Sequence, residues 1–190
     1  MKTFRSLRPA LFLLAAPLAR AHPGHGPMGL AAGFVHPLTG WDHLLAMVAV
    51  GLWSVQLGGR ARWALPLTFV SAMILGAAAG IAGLTPPGLE TGILASVLIL
   101  GLMVAAAARL PLGLGLGLVA LAGAFHGAAH GAEMPLQADN LRFLAGMVMA
   151  TALLHAVGVG AGTAAVHRRP ALVRWAGAGI VGAGAAMLLA

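Results

Sequence analysis

The chain has 190 residues, of which 60% are hydrophobic and only 8% charged, and its mean hydropathy is +0.95. Soluble domains carry roughly 25% charge, so four acids, eleven bases and no tyrosine cannot cover a water-facing surface. This is the composition of an integral membrane protein, and it excludes soluble enzyme folds, disorder and nucleic-acid binding despite a formal net charge of +7. The absence of cysteine excludes disulfides, thiolate metal sites and cysteine nucleophiles.

Lys2, Arg5 and Arg8 precede a short apolar run at 10–18, and Ala19-Arg20-Ala21 places small residues where a signal peptidase reads them. The run is too short to span about 30 Å of hydrocarbon. Residues 1–21 are therefore expected to be a signal peptide, cleaved after Ala21, with His22 as the mature N-terminus outside the cytoplasm. Lys2, Arg5, Arg8 and Arg20 leave with it, so the net charge falls from +7 to +3. An uncleaved anchor helix is the competing reading.

Residues 22–190 read as a single all-α transmembrane domain of six helices. The apolar stretches lie near 30–56, 63–83, 89–108, 111–132, 141–164 and 171–190, each close to the ~20 residues that a spanning helix needs. Arg60, Arg62, Arg109, Arg168, Arg169 and Arg174 fall on one side of this plan and Arg142 alone on the other, so the bare side is predicted to be exterior. Trp53, Trp63 and Trp175 cluster at the arginine-rich ends, where an interfacial aromatic belt sits. An even number of spans then leaves both mature termini outside, as the cleavage site requires. Small residues (Gly76 and Gly80, Gly113 to Gly117, Gly158 to Gly162, Gly177 to Gly184) read as helix-packing positions.

Ionisable groups inside a span are costly, about 2.5–3.5 kcal/mol for an Asp at a helix centre. Here they are few and concentrated. The first span carries His36-Pro37, Gly40 and Asp42-His43, and the fourth carries His126, His130 and Glu133. On a helix the latter three recur at i, i+4 and i+7 and project from one face. Pro37 and Gly40 are expected to disturb the first helix and let His36 fold back toward Asp42 and His43. The first span runs inward and the fourth outward, so both clusters fall in the outer half. Four imidazoles and two carboxylates without a thiolate suit Ni, Co, Cu or Zn, and the carbonyl end of the fourth helix favours a cation. Asp42 has a second possible role, orienting an imidazole from behind. The competing reading is a set of interhelical hydrogen bonds that holds the bundle together.

His155, alone in the fifth span, is balanced between a packing hydrogen bond and a second station on a cation path. Met47 is a core methionine before it is a soft ligand. His22 and His25 offer capture at an entrance or simply an exposed tail. Glu90 and Asp139 read as solvated outer-loop charges, and His167 as an inner-loop residue.

His36-Pro37, Gly40, Asp42-His43 and Ala46-Met47, together with Phe125-His126-Gly127, Ala129-His130-Gly131 and Glu133, resemble the HupE/UreJ family of small nickel and cobalt permeases. The resemblance extends to the plan of a cleaved signal followed by six spans. It implies facilitated nickel uptake, with cobalt as a second cargo, across the bacterial inner membrane, in the service of hydrogenase or urease maturation. The implied ion-handling residues are His36, Asp42, His43, His130 and Glu133, with His126 close behind.

The first functional reading is thus a non-enzymatic permease with no resident cofactor, its partners being the transported ion and the bilayer, with the oligomeric state open. The second is an intramembrane zinc hydrolase that uses the same His, Asp and Glu cluster to activate water. Haem ligation by His126 and His155 is a third, made unattractive by the neighbouring carboxylates. Ni, Co and Zn share these donors, so the residues alone reach only a divalent metal site.

Overall fold

Gly40 decides the course of the first apolar stretch. Helix α1 (Leu30–Thr39) ends against it, α2 (Trp41–Leu57) leaves from it, and the two axes differ by 83°. Gly40 is extended, and its N–H still reaches the His36 carbonyl at 3.3 Å, while the Thr39 hydroxyl donates to the same carbonyl at 2.9 Å. These bonds finish α1 within one turn of Pro37. A side chain on residue 40 would meet Asp42 Oδ1 at 3.0 Å and His43 Nδ1 at 3.4 Å, so glycine also leaves room for that pair.

The computed structural model of the chain describes residues 29–134 and 139–189, and among these there are seven helices and no strand. After α1 and α2 come α3 (Ala61–Ile81), α4 (Leu89–Ala106), α5 (Leu112–Glu133), α6 (Asn140–Ala165) and α7 (Pro170–Leu188). The last five are each long and apolar enough to cross a membrane, and the bent α1–α2 pair makes a sixth crossing if it counts as one. The disturbance expected at Pro37 and Gly40 is present as a full break in the first predicted span, since ten residues of α1 cover only ~15 Å and turn aside. The expected signal segment at 1–21, His22 and His25 lie outside the described residues.

α2 occupies the centre, packed by α6, α4 and α3. Its residues Ala46, Met47, Ala49, Val50, Gly51, Leu52, Trp53, Ser54 and Val55 are all buried, the pattern of a helix surrounded by other helices. Contacts at Gly51, Gly158 and Gly162 show α2 and α6 running parallel, and those at Gly123, Gly127 and Gly131 show the same for α3 and α5. α4 and α7 run antiparallel through Gly101, Gly177 and Gly184. Other glycines predicted to pack (Gly113, Gly117, Gly160, Gly179 and Gly182) have nothing within 4 Å of an added Cβ, so they make no interface among the described residues.

Leu67, Leu75, Leu114, Leu121 and Leu153 are exposed on the outer surface. Such a belt would be a liability in water and fits a lipid-facing wall. Trp63 and Trp175 are exposed as a belt requires, but Trp53 is fully buried. Its indole N–H donates to the Ala108 carbonyl at 2.9 Å, while Gln56 bonds Val104 O at 3.0 Å and Arg174 bonds Ala105 O at 2.9 Å. Carbonyls at the end of a helix fall short of intrahelical partners, and at the end of α4 and just beyond it side chains from α2 and α7 bond them. Trp53 is thus a capping residue of the bundle interior and not an interfacial anchor.

A candidate metal centre

The sequence Phe125-His126-Gly127-Ala128-Ala129-His130-Gly131 sets histidines and glycines one position apart, or 100° around the helix. The glycine face lies on α3, since a Cβ on Gly127 would stand 1.9 Å from the Met73 carbonyl oxygen and one on Gly131 2.1 Å from that of Ala77. This approach turns the neighbouring histidine face toward α2 and α1. The break at Gly40 brings the other half of the site to meet it.

His130 is the hub. Its Nδ1 lies 3.2 Å from His36 Nε2, and its Nε2 is hydrogen-bonded to His43 Nε2. On the far side of His43, Nδ1 stands 2.9 Å from Asp42 Oδ1, which also accepts the His43 backbone N–H at 2.8 Å. One arrangement of protons satisfies every contact. An ionised Asp42 only accepts, so His43 carries its proton on Nδ1 and presents a bare Nε2. His130 then donates from Nε2 and accepts at Nδ1 from the His36 Nε2–H. A single carboxylate in the first turn of α2, where the helix dipole favours negative charge, thereby sets the tautomers of three imidazoles.

His36, His130 and Glu133 each place one ligand atom within 4.8 Å of the other two. Nitrogen ligands about 2.1 Å from a metal stand about 3.0 Å apart at a right angle and about 3.4 Å apart at the tetrahedral angle. The 3.2 Å between His36 and His130 falls between these, a spacing that a shared ion allows. Glu133 is exposed, at the rim, and supplies charge neutralisation from an oxygen donor. The aspartate–imidazole pair of Asp42 and His43 is the arrangement that commonly stands behind a metal ligand and fixes its ring.

The sequence-predicted residues therefore separate. His36, His43, Asp42 and His130 form one connected chain, with Glu133 beside it. His36 folds toward His130 and not toward Asp42, with its ring 6.3 Å from that of His43. His126 joins through a ring contact of 4.6 Å with His43, but its Nδ1–H donates back to the Ala122 carbonyl of its own helix at 3.0 Å. Its Nε2 is buried without a partner among the described residues. Met47 is buried in the hydrophobic core. His155 lies apart from the cluster, buried against Phe69. Asp139 is exposed and 3.5 Å from Arg142. Glu90, also exposed, is in the first turn of α4 and interacts electrostatically with Glu133, so it belongs to the rim of the site. Two phenylalanines that no sequence signal marked wall the cluster: Phe143 stands 5.6 Å from His36 and Phe69 5.6 Å from His126.

The proton chain yields a direct expectation. Asp42→Asn keeps the shape but offers an amide N–H₂ that can donate to His43 Nδ1, driving that ring's proton onto Nε2, where a bare nitrogen is needed to accept from His130 and hold its ring. Metal affinity is expected to fall about 10–100-fold, with little change in melting temperature. Calorimetric titration of the purified variant with nickel checks it, and an unchanged affinity would remove Asp42 from the site.

An apolar helical bundle with a buried histidine–carboxylate cluster at one end defines a multi-pass membrane protein built around a candidate cation site. The sequence agrees with a particular family of this class. Residues 10–187 match the HupE / UreJ protein family, and the chain belongs to it. It is 39% identical over 188 residues to Protein HupE of Rhizobium leguminosarum bv. viciae, covering 98% of each chain. No solved structure matches. The family is associated with nickel and cobalt transport.

Proposed function

We propose that the protein is a permease that carries a divalent transition-metal ion, nickel foremost and cobalt second, across the bacterial inner membrane by facilitated diffusion. The observation that carries this reading is the convergence of His36, His130 and Glu133 on one point, with His43 and its Asp42 partner adjoining through His130. The ion exchanges part of its water shell for imidazole nitrogen and carboxylate oxygen at the rim, then passes inward through His43 and His126. Donors spread over two neighbouring groups suit a conducting path, which must bind firmly enough to select and loosely enough to release. The arginine-rich connectors at the opposite end of the bundle support a cytoplasmic assignment for that end and an exterior one for the site. A signal peptide cleaved after Ala21 is part of the same reading, as is supply of the ion to hydrogenase or urease maturation.

Labelled nickel uptake into cells making the protein tests this, with His43→Ala matched for membrane abundance. The unaltered chain should accumulate nickel above control cells, and His43→Ala should remove most of that increment. Competition by cobalt and zinc then ranks selectivity. Normal insertion with no uptake of any of the three ions would overturn the permease, and zinc retained through purification with a hydrolytic activity would replace it.

A further inference from the structure

Beyond the rim cluster, a second set of polar atoms is buried between α3, α5 and α6. Phe69 and Met73 are one turn apart on α3, and Thr151 and His155 one turn apart on α6, so each pair shares a face. The two faces meet. The Thr151 hydroxyl donates to the Met73 sulfur at 3.6 Å, and the Phe69 and His155 rings lie edge to face with centroids 5.2 Å apart. Phe69 also touches His126, from α5, at 5.6 Å. All five residues are buried, none more than 2% exposed.

His155 has no hydrogen-bond partner on either ring nitrogen among the described residues, and His126 has none on Nε2. A histidine retained to pin two helices together does so through a hydrogen bond, and His155 makes none. Unpaired imidazole nitrogens in an apolar interior are costly to keep. They are what an ion stripped of water needs. The Met73 sulfur and Thr151 hydroxyl lie one turn away along the same faces, and with the imidazole they are softer donors than those of the rim, suited to late first-row divalent metals and poor for magnesium or calcium.

We propose that His155 is an inner metal station, that Met73 and Thr151 offer donors one turn nearer the rim, and that Phe69, set against both His126 and His155, is the barrier an ion passes on leaving the His43–His126–His130 cluster. The proposal rests on the permease reading and extends it. Two stations separated by one aromatic ring allow an ion to be released inward while the rim cluster stays selective.

The experiment uses the full chain in proteoliposomes, with nickel chloride outside and a metal-sensitive dye within, beside nickel titration in detergent. His155→Gln keeps a polar side chain of similar size but loses the imidazole. Its uptake is expected to fall at least about tenfold, with rim affinity within about twofold of the unaltered protein. His155→Cys introduces the only thiol in a chain without cysteine. It restores a metal donor without restoring the ring's volume, and should return most of the uptake. Uptake by His155→Gln at the unaltered rate, or His155→Cys as inactive as His155→Gln, would overturn the station while leaving the permease intact. Failure of the unaltered chain to move nickel would overturn both.

Discussion

His130→Ala is expected to abolish nickel binding and nickel uptake together, the largest functional effect of any single substitution in this chain. Its imidazole is the one group in contact with both halves of the site, facing His36 through Nδ1 and His43 through Nε2. Removing it takes one donor from the His36–Glu133 group and breaks the proton chain that Asp42 sets through His43. Loss of a residue behind a ligand costs about 10–100-fold in affinity, and loss of the shared ligand itself exceeds that. His130→Asn separates the two contributions, since it retains a hydrogen-bonding side chain but offers no imidazole nitrogen to an ion. Both variants should insert and melt close to the unaltered protein while failing to bind, because His130 touches its neighbours through ring contacts and not through the glycine faces that hold α5 on α3. Titration calorimetry and uptake, measured on the same preparations, check this. Retained uptake in His130→Ala would place the ion path elsewhere.

Much of this was legible in the sequence because lipid makes polarity conspicuous. Every histidine of the cluster stands in an otherwise apolar stretch, and such residues are expensive enough to mark a site. The helical spacing of His126, His130 and Glu133 predicts a common face, and the face exists, but spacing does not say which atom each residue aims. His126 spends Nδ1 on its own helix at Ala122 and Glu133 reaches the rim, so three residues in register have three roles. Pro37 and Gly40 predict a disturbed first helix, yet neither its 83° angle nor its direction. Those follow from a long-range contact. Gly33 of α1 meets the Phe143 backbone of α6 and Gly146 meets Leu30, which carries His36 over to His130. Phe69, Met73 and Phe143 carried no signal at all, since an apolar residue in an apolar span has no contrast. Trp53 misleads for the related reason that a tryptophan near the end of a span can serve either the interface or the interior.

Gly127→Leu is expected to be the most destructive substitution for the fold. In α5 the glycines at 123, 127 and 131 recur every four residues against the Phe69, Met73 and Ala77 carbonyls, while Gly76 and Gly80 of α3 return the contact against Ala124 and Ala128. Without a hydrophobic drive between helices in lipid, this close backbone approach is the main attraction between α3 and α5. A Cβ at 127 would lie 1.9 Å from the Met73 oxygen, whereas carbon and carbonyl oxygen come no nearer than about 3.3 Å even in a weak hydrogen bond. The helices must therefore separate by more than an ångström, and the obstacle is backbone, which no rotamer change relieves. Overpacking of this kind costs about 1–3 kcal/mol for small insertions and more for larger ones. Gly127→Ala should lower the melting temperature in detergent measurably, and Gly127→Leu should prevent recovery of folded protein. Gly117→Ala, in the same helix with nothing within 4 Å, should be neutral or stabilising by up to about 1 kcal/mol through helix propensity. The same displacement shifts His126 and His130 relative to α2, so Gly127→Ala should weaken nickel binding even where the protein still folds. Equal melting temperatures for Gly127→Ala and Gly117→Ala would contradict the packing of α5 on α3, and with it the geometry on which the metal centre depends.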